Sequence, residues 1–366
     1  MSLEETHLEA LRALGYTNRE ARFLYVVATH SGYFTQAHFF SFIGCESFSA
    51  VTSLLRKLSD KQHARRDIYQ NNLSVYHLFA RALYRAVGKE HIRARHRHSL
   101  DYVRTRLAVL DFVLANPQLR YLETEEEKVQ FFEDCYGINR AQMPGKVYRG
   151  ALGTTDATRY FVDKFPMFLT SDEGSSKPVV TFTFVDPGHS SQLPFITHLH
   201  WYGTFFARLK QFNFVYVSPN RANFPKAETE FAKRVMTTPP NALRHVVRYF
   251  QLRELEDTKQ YSKITLADLD FIREATKTFV GEPFESLYQR WKKNEIWDAE
   301  IQQELDHHYG GKLAAFSAFL LPRSYAEFEQ NSHFLLRKLE NRSAIGSPVG
   351  SPLGTPQTAS VHQSED

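Results

Sequence analysis

The sequence predicts a multi-domain α+β protein with an N-terminal winged helix-turn-helix, a long basic helix, a central α/β domain and a helical C-terminal region. The 366 residues exceed the length of one average domain. Positive charge is concentrated near the N-terminus, where residues 47–106 carry 13 Lys and Arg against 4 Asp and Glu. Runs of β-type residues alternate with helical periodicity only after this region. The expected units are 1–87, 88–116, 117–240 and 241–340, followed by a disordered tail, 341–366.

Composition indicates a globular protein with ample apolar residues for a core. The chain is 42% hydrophobic, and no apolar run approaches the roughly 18 residues that a membrane helix needs. The acidic, amphipathic start MSLEETHLEALRALG does not resemble a signal peptide. We therefore expect a cytoplasmic protein without membrane association. Cys45 and Cys135 form no CxxC motif, and no GxGxxG, GxxxxGK, GxSxG or HExxH occurs, so the sequence predicts no disulfide framework, no metal and no cofactor.

The first helices are predicted from their boundaries. Thr17-Asn-Arg-Glu20 has the form of a capping box, in which two side chains bond the free N–H groups of a helix start. The helix that begins there should extend to about His30. The segment QAHFFSFIG predicts a second short helix that ends at Gly44.

A third helix and a hairpin complete the predicted N-terminal domain. Within 47–60, Val51, Leu54, Leu55 and Leu58 recur at helical spacing and should form one buried face. The following HARRDIYQNNLSVYHL has β-type residues on both sides of Asn71-Asn72, which indicates a turn between two strands.

Three helices followed by a basic hairpin are typical of a winged helix-turn-helix that binds double-stranded DNA. The third helix enters the major groove, and the hairpin contacts phosphate. The alternative is that these charges are simply solvated faces of a helical domain, or that the wing binds a protein. The predicted groove-facing residues are Ser49, Thr52, Ser53 and Arg56, and the predicted backbone contacts are Lys57, Arg65 and Arg66.

A second basic feature follows the hairpin. Arg81, Arg85, Lys89, Arg93 and Arg97 are spaced four apart, so on one helix they would form a continuous phosphate-facing stripe. His91, His96 and His98 lie within it, but the neighbouring arginines would repel a cation and no acidic or cysteine ligand is near. We therefore interpret this segment as a DNA contact and not as a metal site.

An apolar seam comes next. Leu100, Val103, Leu107, Leu110 and Leu114 recur at intervals of three or four, the pattern of a packed or coiled helix. Internal packing is favoured because the seam spans only about two heptads. A homodimer through the 100–114 helix remains the alternative, and it would suit a palindromic DNA site.

The central region predicts strands and helices in alternation. KPVVTFTFVDPG and FNFVYVSPN have the composition of buried strands, and Ile196 to Lys210 has the periodicity of a helix. Asp186 follows the first of these strands and Asp163 precedes it, so a metal-dependent nuclease could use the two carboxylates. No acidic-x-Lys signature accompanies them, and Asp186 is more simply the start of an Asp-Pro-Gly turn.

Two stretches resemble the replication-relaxation family of bacterial plasmids and mobile elements. One runs from Ser49 to Gly88 and is similar to the family's recognition helix, wing and following strand. The other runs from Phe182 to Asn220 and is similar to its strand, helix with a central tyrosine, and strand. The resemblance implies a winged helix followed by a degenerate restriction-endonuclease-like α/β domain. Where the family often has an acidic-x-Asp pair, this sequence has only Asp186.

We therefore expect a non-catalytic DNA-binding protein of a bacterial mobile element that acts in replication, mobilisation or transcriptional control. A nuclease using Asp163 and Asp186 is one alternative. An adaptor that binds an acidic protein through the wing and basic helix is the other.

Overall fold

A computed structural model describes residues 5–44, 48–69, 72–90, 92–149, 157–163, 165–170, 178–238, 241–310 and 313–326. Over these ranges the chain is a mixed α/β protein with thirteen α-helices and three sheets, which confirms the coarse fold class.

The N-terminal part combines helices with a small antiparallel sheet. Its strands lie in the order β1-β3-β2. The helix start predicted at Thr17 is confirmed, because Thr17 accepts from the Glu20 amide and Glu20 accepts from the Thr17 amide. The elements are α1 (Glu5–Ala13), α2 (Asn18–His30), β1 (Tyr33–Thr35), α3 (Gln36–Ile43), α4 (Phe48–Asp60), β2 (Ala64–Ile68), β3 (Ser74–Leu78) and α5 (Arg81–Ala86).

The chain between α5 and the next helix is not one long helix. Helix α5 ends at Ala86, and Gly88 has a φ of +67°, a left-handed conformation that stops a helix. Among the described residues between α5 and α6 (Leu100–Ala115), helical structure is limited to a short 3₁₀ turn, Arg93–Arg95. The prediction of a continuous basic helix over 88–116 is therefore wrong.

The segment 92–98, which we call the strap, lies instead against the small sheet. His77 on β3 bonds the carbonyl of Ala94 at 2.8 Å, and the Tyr33 hydroxyl on β1 donates to the carbonyl of His96 at 3.3 Å. Ala94 is buried as a result.

Helix α6 is the central element of the molecule. It contacts α2, α3 and β1 of the N-terminal part and β8 of the large sheet. Its buried residues point in every direction, and Arg106 and Asp111 are buried together with the apolar ones. The seam that could have joined two chains is thus covered within one chain, so the homodimer predicted as an alternative for this helix is not supported. The fully buried apolar residues include Leu107, Ala108, Val109 and Leu110.

A five-stranded mixed sheet organises the second part. Strands β8, β9 and β10 are parallel, whereas β7 and β4 are antiparallel to their neighbours, in the order β10-β9-β8-β7-β4. Strands β5 and β6 form a separate hairpin. The elements are β4 (Arg120–Tyr121), α7 (Glu125–Tyr136), β5 (Gly145–Tyr148), β6 (Ala157–Tyr160), β7 (Met167–Thr170), β8 (Val179–Val185), α8 (Leu193–Arg208), β9 (Gln211–Ser218) and α9 (Phe224–Phe231), which a π-helical turn continues (Ala232–Met236).

Four helices are inserted before the last strand of this sheet. They are α10 (Ala242–Asp257), α11 (Leu266–Thr278), α12 (Phe284–Lys292) and α13 (Asp298–Gly310), and they enclose their own apolar core. Strand β10 (Leu313–Leu320) then pairs with β9, with Leu313 opposite Gln211. The prediction that 241–340 is helical is therefore wrong at β10. The rest of the predicted helical region, 327–340, and the predicted disordered tail, 341–366, lie outside the described residues.

The large sheet has a different core on each face. Helices α7, α8 and α9 cover one face with a core rich in phenylalanine. The other face shares a core with the N-terminal part, because Val185, Val217 and Leu321 belong to the same cluster as residues of α2 and α6. Asp111 on α6 adds polar contacts there, accepting from the Tyr325 hydroxyl at 2.6 Å.

Candidate nucleic-acid interface

Helix α4 has the two faces that the sequence predicts. Val51, Leu54 and Leu58 are buried against the N-terminal core, and Leu55 is half-buried against it. The spacing of three and four residues forces this division, since such residues share one side of an α-helix.

The opposite side of α4 is polar and open to solvent. Ser49, Thr52 and Arg56 are exposed on one face, and Ser53 is half-buried beside them. Phe48 opens the helix and is 74% exposed, which is unusual for a large aromatic side chain. The Thr52 hydroxyl donates to the Phe48 carbonyl at 2.9 Å, so its lone pairs face outward. This face combines hydroxyl acceptors, an aromatic ring and a guanidinium.

Lys57 serves a different role from the one predicted. Its Nζ lies 2.7 Å from Oε2 of Glu20, the capping residue of α2. Glu20 is buried, and Lys57 is only about one quarter exposed. The ion pair ties α4 to α2 and neutralises Lys57, so its charge contributes little to attracting phosphate.

The two arginines of β2 point to opposite sides of the sheet, as successive residues of a strand do. Arg65 lies opposite His77 on the side that the strap covers, and it forms an ion pair with Asp67 at 3.1 Å. Arg66 is exposed on the other side and donates to the Ser74 hydroxyl at 2.8 and 3.0 Å. Of the two, Arg66 keeps its charge uncompensated by a carboxylate of the described chain.

The predicted basic stripe is divided into separate groups. Arg81 and Arg85 both lie beside Glu90, at 3.6 and 3.0 Å. Lys89 is almost fully buried and pairs with Glu123 at 3.0 Å. Three of the five charges therefore lie beside two acidic residues that the i+4 pattern does not reveal, and Arg81 and Arg85 share one of them.

The last two members of the stripe lie in the strap. Arg97 is exposed. Burial raises the pKa of Tyr69, which directly follows β2. The positive charges of Arg65 and Arg97 oppose that rise, so Arg97 lies close enough to the hairpin to act on Tyr69. Arg93 begins the 3₁₀ turn, but its side chain lies outside the described residues.

Four exposed cations of this region form no ion pair with a carboxylate of the described chain: Arg56, Lys61, Arg66 and Arg97. These four residues are the candidates for contacts with DNA, and they are fewer than the basic residues that the sequence predicts for this role. The candidate nucleic-acid interface is therefore the exposed face of α4 together with the hairpin β2-β3 and the adjoining strap.

Asp186 is held in the turn that the sequence predicts. Its Oδ1 accepts from the amides of Gly188 and His189 at 2.9 and 2.7 Å. Its Oδ2 accepts from the side chains of Tyr216, Ser218 and Asn223 at 2.8, 3.1 and 3.2 Å. Five donors occupy a carboxylate that is 2% exposed, which explains its burial without a metal.

Asp163 lies in a different environment from Asp186. Its Oδ2 is 3.2 Å from Nδ1 of His198, a buried residue of α8. Burial raises the pKa of Asp163. The hydrogen bond from His198 and the positive charges of His198 and Lys128 outweigh burial, so the pKa of Asp163 lies below its usual range. In the part of the chain described, no group of three or more His, Cys, Asp or Glu side chains could hold a metal ion.

One group of functional interest was missed by the sequence analysis. Lys128 and His30 line a cavity between α2 and α7, and the only sequence signal was a lysine within the otherwise acidic segment TEEEKVQFFEDCYG. Their proximity depends on tertiary packing, so spacing along the chain could not reveal it.

Comparison of the chain with protein-family models, with curated proteins and with solved structures found no match. Among the helices of the described ranges, none combines the length and the apolar character required to cross a bilayer.

Proposed function

We propose that the chain is a non-catalytic protein that binds double-stranded DNA through an N-terminal winged helix. In this proposal α4 is the recognition helix and the hairpin β2-β3 is the wing. Phe48, Ser49, Thr52 and Arg56 contact base edges or the adjacent backbone, and Arg66 and Arg97 contact phosphate.

The observation that carries the proposal is the exposed face of α4 beside a hairpin with an uncompensated arginine. The order α2-β1-α3-α4-β2-β3, with a sheet in the order β1-β3-β2, supports it, because a winged helix-turn-helix has this arrangement. Hydroxyl and guanidinium groups at successive turns of α4 are suited to the donor and acceptor pattern of the major groove.

The sequence resemblance to the replication-relaxation family supports a narrower proposal. It suggests a role on a bacterial mobile element, in replication, mobilisation or transcriptional control. Selection of bound fragments from the source genome would test this, and enrichment of sites beside replication or transfer genes is the expected result.

Salt dependence of binding tests the proposal directly. If Lys61, Arg66 and Arg97 each meet one phosphate, the slope of log K against log salt concentration should be about −2.7, at about −0.9 per contact. Fluorescence anisotropy of a labelled duplex measures this. Affinity that does not change with salt would contradict the proposal.

Matched arginine variants sharpen that experiment. We expect Arg66→Ala to weaken binding to all duplexes alike, and Arg56→Ala to weaken binding to the preferred site by about 5- to 100-fold, as expected for loss of a base contact. Arg85→Ala is the control within the region, because Arg85 is already paired with Glu90. Arg273→Ala on α11 is the distant control. Equal losses in all four variants would argue against a specific interface at α4.

A further inference from the structure

A cavity of about 440 Å³ lies between the N-terminal part and the second part of the chain. Its walls come from the end of α2, the turn after α5, the start of α7, the hairpin β5-β6 and the residues before β7. A volume of this size lies within the range of small-molecule sites. Tyr102, Tyr121, Tyr148, Tyr160 and Phe161 provide aromatic surface.

Lys128 is the central polar residue of this cavity. It is 7% exposed, and burial lowers its pKa. Its ammonium carries three donors, yet the contact it makes among the described residues is one long hydrogen bond, 3.5 Å, to the carbonyl of Phe165. It forms no ion pair with any described carboxylate. A buried ammonium with so few partners is costly to keep, unless a ligand or water completes its bonds.

The charges of Asp163, Glu127 and Glu125 oppose the lowering of the Lys128 pKa, but none of these carboxylates forms an ion pair with Lys128. Glu123 already pairs with Lys89 at 3.0 Å and accepts from the Tyr25 hydroxyl at 2.6 Å. Glu125 pairs with Arg159 at 3.5 Å and accepts from the amide of Tyr160 at 2.9 Å. Glu90, the third lining carboxylate, lies beside Arg81 and Arg85. Of the three cations that line the cavity, Lys128 is therefore the one without an ion-pair partner among the described residues.

His30 provides an independent observation on the same wall. Its Nε2 is buried and has no hydrogen-bond partner in the part of the chain described. Burial, together with the charges of Lys89, Lys128 and Arg106, lowers the pKa of His30 to about 3. Those three cations thus create a positive potential at a polar atom that lacks a partner.

We propose that this cavity binds a small organic oxyanion, a carboxylate or a phosphate monoester, carried on an aromatic body. The anion pairs with Lys128 and lies within reach of His30, and the aromatic body packs against the tyrosine walls. A buried ammonium without an ion-pair partner, a buried imidazole nitrogen without a hydrogen-bond partner and an aromatic surface line the same cavity in the described structure, and this combination matches an aromatic anion. The site is separate from α4 and does not depend on DNA binding.

Isothermal titration calorimetry of the full chain tests the proposal with three probes. Adenosine 5′-monophosphate presents a phosphate, 4-hydroxybenzoate presents a carboxylate, and adenosine presents an aromatic body without an anion. We expect at least one of the two anions to bind at one site per chain with a dissociation constant below about 1 mM. Adenosine should bind at least tenfold more weakly than the tighter-binding anion. Which anion binds more tightly decides between the phosphate and carboxylate classes.

Lys128→Met removes the charge and keeps the length of the side chain. We expect it to weaken anion binding at least tenfold, the loss of one charge-assisted hydrogen bond. Lys226→Met on the exposed side of α9 is the matched control. Because Lys128 is a buried, poorly satisfied charge, its removal should not lower the melting temperature, which separates loss of binding from loss of fold.

A measurement on the unaltered protein makes the test independent of that variant. The ring proton resonances of His30 should shift on addition of the anion, while those of the exposed His200 should not. Failure of both anions to saturate, binding of adenosine as tight as that of the tighter-binding anion, or unchanged affinity in Lys128→Met would each overturn the proposal.

Discussion

His77 connects the strap to the small sheet through two contacts. Its ring stacks on Tyr33 with centroids 4.3 Å apart, and Nε2 lies 2.8 Å from the Ala94 carbonyl. Nδ1 is buried and has no hydrogen-bond partner in the described structure. The ring is therefore neutral, because a proton on Nδ1 would be a buried donor without an acceptor.

This arrangement predicts a loss of stability in acid. The pKa of His77 is lowered from 6.5 to about 4, and burial is the largest cause. The hydrogen bond to Ala94 and the charge of Asp67 oppose the lowering, and the charges of Arg65 and His98 add to it. Above pH 6.5 the ring is neutral in both the folded and the unfolded chain. Between pH 6.5 and about 4 mainly the unfolded chain gains the proton, so the free energy of unfolding falls by about 3 kcal/mol.

Urea denaturation at a series of pH values measures this effect. His77→Gln should reduce the change between pH 6.5 and 4, because its amide does not titrate. His200→Gln should leave the change as it is in the unaltered protein, since His200 is exposed. An identical pH dependence in all three proteins would rule out His77 as the source.

Individual charges are the level at which sequence reasoning is least reliable here. The alternation of Arg65 and Arg66 follows from strand geometry once β2 is assigned. The partners of Lys57, Lys89 and Arg85 do not, because Glu20, Glu123 and Glu90 reach them only through turns and tertiary packing. Charge spacing alone therefore overestimates how many cations are available to DNA.

Among the elements, α6 shows how an apolar seam can be misassigned. A seam at intervals of three and four is compatible with a partner helix or with the chain's own core. The sequence leaves this open, because the residues that cover the helix come from β8, β9 and the chain beyond β10, far along the sequence. Arg106 and Asp111 of α6 are buried within one chain, which supports internal packing of this helix over a dimer contact.

A core substitution tests the position of α6. Leu107 is fully buried, so Leu107→Ala should lower the free energy of unfolding by about 3 kcal/mol through lost burial and a cavity. The loss should be the same at low and high protein concentration, because the contacts lie within one chain. Leu269→Ala on α11, where Leu269 is 51% exposed, is the control and should change stability by less than about 1 kcal/mol. A loss that shrinks on dilution would instead indicate a dimer.

Helices and strands that are marked by a pattern within a few residues could be predicted from the sequence, and those without such a pattern could not. The capping box at Thr17, the apolar face of α4 and the seven β-formers of β8 each lie within a few residues. Strand β10, with the sequence LAAFSAFL, has no polar alternation that separates a strand from a helix. Its conformation depends on pairing with β9, which no local pattern encodes.

At the scale of the whole molecule, the N-terminal part and the large sheet share one core. The sequence predicts a boundary after residue 116 from the change in composition. The cluster around α6 crosses that boundary and includes Val185, Val217, Leu321 and Tyr325. Composition reports which residues are apolar, and it does not report which apolar faces meet.

The shared core predicts the behaviour of a truncated chain. A fragment of residues 1–119 retains α6 but loses the sheet that covers one side of it. We expect this fragment to melt with less cooperativity and at a lower temperature than the full chain, and to bind a hydrophobic dye. Differential scanning calorimetry and dye fluorescence measure both. A fragment as stable as the full chain would show that the N-terminal part is independent of the sheet.

The late position of strand β10 in the sequence also affects how the large sheet folds during synthesis of the chain. Leu313 pairs with Gln211, so about 100 residues must leave the ribosome after β9 before its open edge can be closed. At 5 to 20 residues per second this takes on the order of 5 to 20 s. During that interval the four inserted helices can form first, and an apolar strand edge is open to wrong pairing. The time of greatest risk for this protein therefore precedes its release, when it has most of its core but not its last strand.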